Sequence, residues 1–211
     1  MGTIIGRVAA VLLVSAVALV SRVAAADPDP GTIYITDMTY NGSGCPLGST
    51  VAHVADDATT FTVIHSQFLA QVGPGIMASE ARKNCQINLG LFVPQGFSYA
   101  VASVDYRGYA GLAPGANARQ KAIYYFEGHP VQGSTAHMFY GPVEDDWHVN
   151  ETADVAALIW SPCGEKRNLN INAEIRLARG TSPASASSYM TMDSEDGSIE
   201  TLYHLAWKKC P

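Results

Sequence analysis

The chain has 211 residues, of which 47% are apolar and 15% charged. It is too long for a peptide toxin and too apolar to stay disordered, and it fits one ordinary domain with a core of its own. The 13 basic against 19 acidic residues give a net charge of -6 at pH 7, which argues against a nucleic-acid partner.

Residues 1–26 follow the grammar of a secretory signal peptide. There is one early charge at Arg7, an apolar run over 8–20, and small residues at Ala24, Ala25 and Ala26. Cleavage is expected before Asp27. A membrane anchor needs roughly 20 apolar residues, whereas this run is only 13 residues long, Ser15 included. N-myristoylation fails because Gly6 stands where the pattern needs Ser or Thr. Losing the leader removes Arg7 and Arg22 and no acid, leaving 185 residues with 11 basic and 19 acidic groups. The expected product is soluble and mildly acidic, with no membrane association after cleavage.

Asp27-Pro28-Asp29-Pro30-Gly31 is a stiff Pro-rich lead-in, and a single domain is expected over 32–211. Its clearest element lies over 168–177, where Leu169, Ile171, Ala173, Ile175 and Leu177 alternate with polar residues, the signature of a half-buried strand. Further strands are predicted over 32–40, 61–71, 86–93, 97–106, 122–126, 136–140, 157–160, 189–192 and 199–208. Only 78–84 offers a helical turn or two. Asp196-Gly197 reads as a hairpin turn, and the Ser/Ala/Pro-rich 181–188 as a mobile loop. About ten strands with no long amphipathic helix between them predict an all-β fold, an antiparallel β-sandwich.

The cysteines stand at 45, 85, 163 and 210 with no CxxC pair. Zinc would need four scattered thiolates in an oxidising compartment, so two disulfides are expected. Of three connectivities, Cys45 with Cys85 and Cys163 with Cys210 is favoured, closing one loop in each half. Asn41-Gly42-Ser43 and Asn150-Glu151-Thr152 are N-glycosylation sequons if the host is a eukaryote.

Several motifs yield to simpler readings. Gly73-Pro74-Gly75-Ile76-Met77-Ala78 spells a dinucleotide fingerprint, but no long helix follows and 91–97 contains no acid to hold a ribose. The run Glu144-Asp145-Asp146-Trp147-His148 makes Asp145, Asp146 and His148 candidate metal ligands. Read plainly, it is an acidic, solvated loop, and one local run cannot place two carboxyls across a sugar. Asp193-Ser194-Glu195-Asp196-Gly197 fails the spacing of an EF-hand loop. His53, His65, His129, His137 and His204 are scattered, without HExxH or HxH, and there is no GxSxG elbow. Asp105-Tyr106-Arg107-Gly108-Tyr109 is tyrosine-rich. With Trp147, residues Asp105, Tyr106, Arg107 and Tyr109 form the candidate binding surface, Arg107 either stacking on a flat ligand or pairing with Asp105.

Taken together, the blocks Tyr40-Asn41-Gly42-Ser43-Gly44-Cys45-Pro46, Arg82-Lys83-Asn84-Cys85-Gln86, Asp105-Tyr106-Arg107-Gly108-Tyr109, Trp160-Ser161-Pro162-Cys163-Gly164, Leu169-Asn170-Ile171-Asn172 and Trp207-Lys208-Lys209-Cys210 resemble the four-cysteine secreted proteins known as domain of unknown function 4360. The resemblance runs from about Ile33 to Cys210. It implies a small secreted protein of microbial type and supplies no catalytic residue to transfer.

The expected function is that of a secreted, non-enzymatic extracellular or cell-wall module, binding or structural. Its expected partner is an extracellular polysaccharide or a cell-wall or surface protein, with no cofactor. The alternative is a secreted hydrolase or metal-dependent adhesin using 144–148. An enzyme should gather Asp145, Asp146 or His148 with Asp105 or His204 in a concave pocket, and a binding module should expose a tyrosine and arginine face.

Overall fold

The computed structural model describes residues 28–29, 32–154, 157–192 and 200–211. The predicted leader, the hairpin turn at Asp196-Gly197 and the acidic run 193–197 lie outside the described residues.

Alternating apolar and polar residues build the strands, as the period-2 pattern requires. Twelve are present among the described residues: β1 (Tyr34–Asn41), β2 (Thr50–Val54), β3 (Thr60–His65), β4 (Leu69–Val72), β5 (Arg82–Phe92), β6 (Phe97–Leu112), β7 (Asn117–Phe126), β8 (Gln132–Tyr140), β9 (Val143–Thr152), β10 (Leu169–Ala178), β11 (Ser188–Thr191) and β12 (Thr201–Lys209). A 3-10 turn, Ala78–Ala81, precedes β5. The strands form two antiparallel sheets, one of five in the order β1-β5-β10-β7-β8 and one of seven in the order β2-β3-β12-β6-β11-β4, with β9 also pairing β6. The fold is an all-β sandwich.

β10 shows how sequence becomes core. Leu169, Ile171, Ala173, Ile175 and Leu177 are all buried, while the residues between them face out from the five-stranded sheet. Aromatic rings join the layers. Tyr99 of β6 meets Phe126 of β7 edge-on at 5.2 Å, Tyr124 of β7 meets Tyr203 of β12 edge-on at 6.1 Å, and Phe139 of β8 packs on Trp147 of β9 at 5.1 Å. A fully buried large side chain contributes roughly 1.5–3 kcal/mol of apolar burial, and Phe139, partly buried, contributes less. Cys45–Cys85 ties the turn after β1 to β5, and Cys163–Cys210 fastens the end of β12 to the loop before β10.

Three predicted elements are corrected, and one strand is new. The single strand expected over 61–71 is β3 and β4, broken at Ser66, whose amide donates to the Ser49 carbonyl (2.9 Å), while Phe68 turns into the core. Residues 157–160 are not a strand. The chain touches the β6 edge there only through isolated bonds, such as Ser161 N–H to the Tyr99 carbonyl (2.7 Å), and Pro162 lacks an amide to continue a ladder. β2 was not anticipated, because Thr50–Val54 is short and interrupted by His53. The acidic run 144–148, read as a loop, lies inside β9: Val143, Trp147 and Val149 turn inward and hold the strand, while Glu144, Asp146 and His148 face solvent.

Candidate functional site

β6 is the spine of the seven-stranded sheet. Val104, Tyr106, Ala110 and Leu112 point into the core, so Ser103, Asp105, Arg107 and Tyr109 stand on the outer face. On one edge β9 places Asn150 opposite Asp105, His148 opposite Arg107 and Asp146 opposite Tyr109. On the other edge β12 places Leu202 opposite Asp105 and His204 opposite Ser103, and the register slips immediately after His204. Such a bulge re-aims the side chains beside it. Further along the same edge, β11 sets Tyr189 opposite Gly111.

Three side chains from two neighbouring strands therefore close on one carboxylate. Asp105 Oδ1 is 2.9 Å from His148 Nε2 and accepts from Asn150 Nδ2 at 2.9 Å, while Oδ2 is 2.7 Å from His204 Nε2. The Asp105 side chain is only 13% exposed, against 53% for His148 and 38% for His204. Burial pushes the carboxyl pKa up, but hydrogen bonds from Asn150, His204 and His148 outweigh it and hold the group down to about 2. It is a fixed anion in an open cage.

Beside the cage lies an aromatic strip. The Tyr109 and Tyr189 rings are near-parallel, 14° apart with centroids 6.1 Å apart, and both hydroxyls donate to Glu144 Oε1, at 3.3 and 2.8 Å. Partial burial and the Glu144 charge raise the Tyr109 pKa, and the hydrogen bond to Glu144 raises that of Tyr189. Gly111 makes room for the strip, since a Cβ there would stand 2.5 Å from the Tyr189 ring. The ring can lie flat on the strand only because that position is glycine. Glu144 and Tyr189 also line an open depression of about 400 Å³ with Pro114, Pro142 and Ser187. Arg107 is exposed and makes no ion pair among the described residues, so Asp105 takes the two imidazoles rather than the guanidinium.

The predicted site residues separate by strand parity. Asp105, Arg107 and Tyr109 share the outer face. Tyr106 and Trp147 do not: Tyr106 is fully buried, and Trp147 packs on Phe139 and donates its indole N–H to the Thr191 carbonyl (3.1 Å). Both are corrected to core residues. The proposed ligand trio is divided as well, because Asp145 sits on the opposite face of β9 from Asp146 and His148. Among the described residues no three or more His, Cys, Asp or Glu side chains are arranged to hold a metal ion. Asn41 is exposed at the end of β1, and Asn150 is exposed within the Asp105 cage. His204, Glu144 and Tyr189 were not in the predicted surface. Period 2 along 199–208 puts His204 on a strand, but only the pairing of β12 with β6 brings it to Asp105.

Residues 31–210 match the family model described as "Domain of unknown function (DUF4360)". A relative from Arthroderma benhamiae, described as "Uncharacterized secreted protein", is 44% identical over 184 residues, spanning 87% of this chain and 74% of its own. Among solved structures, TmCBM61 in complex with β-1,4-galactotriose aligns over 81% of this chain and 88% of its own at 8% identity, with a TM-score of 0.33. That likeness is too distant to bear on function.

Proposed function

Because this chain belongs to the DUF4360 family, which brings no activity with it, we propose its function from the site: a secreted, non-enzymatic module that binds an extracellular or cell-wall polysaccharide on the outer face of the seven-stranded sheet. Export is supported by the leader-like residues 1–26, by two disulfides and by the secreted relative.

The observation that carries the reading is the Tyr109–Tyr189 strip beside the caged Asp105 on an open, strand-built face. A sugar ring has an apolar C–H face and a rim of hydroxyls. Flat tyrosine rings match the first, and Asp105, Asn150, Arg107 and Glu144 offer both donors and acceptors to the second. Side chains on paired strands are held in place before the ligand arrives, which lowers the entropy lost on binding. Affinity electrophoresis across a panel of plant, fungal and bacterial polysaccharides tests this. Retardation by at least one polymer is expected, weakened about tenfold by either Tyr109→Ala or Tyr189→Ala, since a ring stack is worth roughly 0.5–1.5 kcal/mol beyond its area. No retardation by any polymer, or retardation unchanged in both variants, overturns it.

One observation favours the hydrolase reading, the meeting of His148 and His204 at Asp105. Both imidazoles are engaged with the same carboxylate on an exposed face of the sheet, an arrangement suited to holding charge rather than enclosing a reacting bond. Polysaccharide or ester turnover abolished by His148→Ala would reverse this preference.

A further inference from the structure

A second site lies between the two sheets. Where the first half of β6, the end of β7, the start of β8 and residues 157–159 meet, they line a half-open pocket of about 410 Å³. This is the size of a small-molecule pocket. The wall is mainly apolar, formed by Val101, Phe126, Ile159 and Leu169 with the half-exposed Val131 beside them. Gly133 holds the space open: it takes an inward position on β8, and a Cβ there would be 3.4 Å from Ile159 Cδ1 and 3.7 Å from the Tyr124 ring. A larger residue at that one position would project into the void.

The polar groups at the cavity are unusual. The Tyr124 hydroxyl is buried and lacks a hydrogen-bond partner, the Thr135 hydroxyl stands beside that of the buried Tyr106, and Glu151 reaches in from β9 with its carboxylate against the His137 ring. A buried polar group left unpaired costs roughly 1–3 kcal/mol, so native folds seldom keep one at a pocket without something to satisfy it.

We infer that this cavity binds a small amphipathic molecule, an alkyl or aryl alcohol or amine, its body among Val101, Phe126, Val131 and Ile159 and its head at Tyr124, Thr135 and Glu151. The head must hydrogen-bond the Tyr124 hydroxyl and carry no negative charge, because Glu151 repels a carboxylate. Fatty acids of the same length are therefore excluded by charge rather than by size.

The test uses the mature secreted chain and the neutral fluorophore N-phenyl-1-naphthylamine near neutral pH. Saturable fluorescence enhancement is expected, reversed by 1-decanol and decylamine at about tenfold lower concentration than by decanoate, a factor equal to about 1.4 kcal/mol of charge discrimination. Gly133→Phe should abolish the enhancement while retaining the native melting transition. Glu151→Gln should keep probe binding and bring decanoate level with decanol, which preserves the test if Gly133→Phe does not fold. Absence of saturable binding, as from a cavity holding only water, overturns the inference. So does displacement by decanoate as readily as by decanol in the unmodified chain, or undiminished probe binding by folded Gly133→Phe.

Discussion

Replacing Asp105 by Asn keeps the shape of the cage and removes its charge. The Asp105 carboxyl is held down to about 2 from an ordinary 3.8. By linkage, that difference is worth at most roughly 2.5 kcal/mol in the native state. His148 and His204 are both more than a third exposed, so solvent screens much of it and about 1 kcal/mol is the realistic loss. The sign follows from the direction of the shift. A carboxyl with a depressed native pKa stabilises the fold fully above pH 3.8 and loses that contribution as pH falls through about 2. Paired urea titrations of the native and Asp105→Asn chains should therefore differ by about 1 kcal/mol at pH 6, or about 2–4 °C in Tm for a domain of this size. The gap should close near pH 2. His204→Gln in both backgrounds should show coupling of about 0.5 kcal/mol or more, because the two side chains share a hydrogen bond. Equal stability at pH 6, or a gap that persists undiminished at pH 2, would refute the idea that the cage is held by charge.

Other outcomes follow from single contacts. Cys163→Ala with Cys210→Ala opens a loop spanning a sequence separation of 47 and should lower unfolding free energy by up to about 4 kcal/mol, read as the urea midpoint. Gly108 packs so tightly that a methyl group would overlap the Thr191 carbonyl and stand 2.8 Å from the Trp147 ring. Gly108→Ala should therefore cost roughly 1–3 kcal/mol and reduce amide exchange protection in β11. Asn150 Nδ2 donates to Asp105 and is also the atom that would carry an N-glycan. Protein from a eukaryotic host with Asn150 occupied should bind no polysaccharide until the glycan is removed, and mass spectrometry beside the binding assay would expose any glycosylated form that binds. Calcium or zinc, compared with chelator, should leave Tm unchanged, since a ligand that binds only the native state must raise it.

Much of the fold was legible because period 2 is a local property. Leu169 to Leu177 declare a strand and its buried face without reference to any other segment. The acidic run was misread because Asp145 interrupts the alternation that Val143, Trp147 and Val149 otherwise keep, so the anchors of β9 are hard to see beneath its charges. Tyr106 was recoverable in principle: it shares parity with the buried Val104, and that parity alone excludes it from the face of Asp105 and Arg107. Tyrosine composition outweighed position in that expectation.

By itself the sequence determined the class of fold, because alternation is written within short windows, and it supplied four cysteines suited to disulfides. Only the tertiary structure decided that His148, 43 residues from Asp105, and His204, 99 residues from it, reach the same carboxylate. It also decided that Tyr189 lies flat over Gly111 and that Gly133 keeps a cavity open. Each of these depends on which strand lies beside which and in what register. That choice is made by burying both sheets' inner faces at once, so it cannot be read from any single strand.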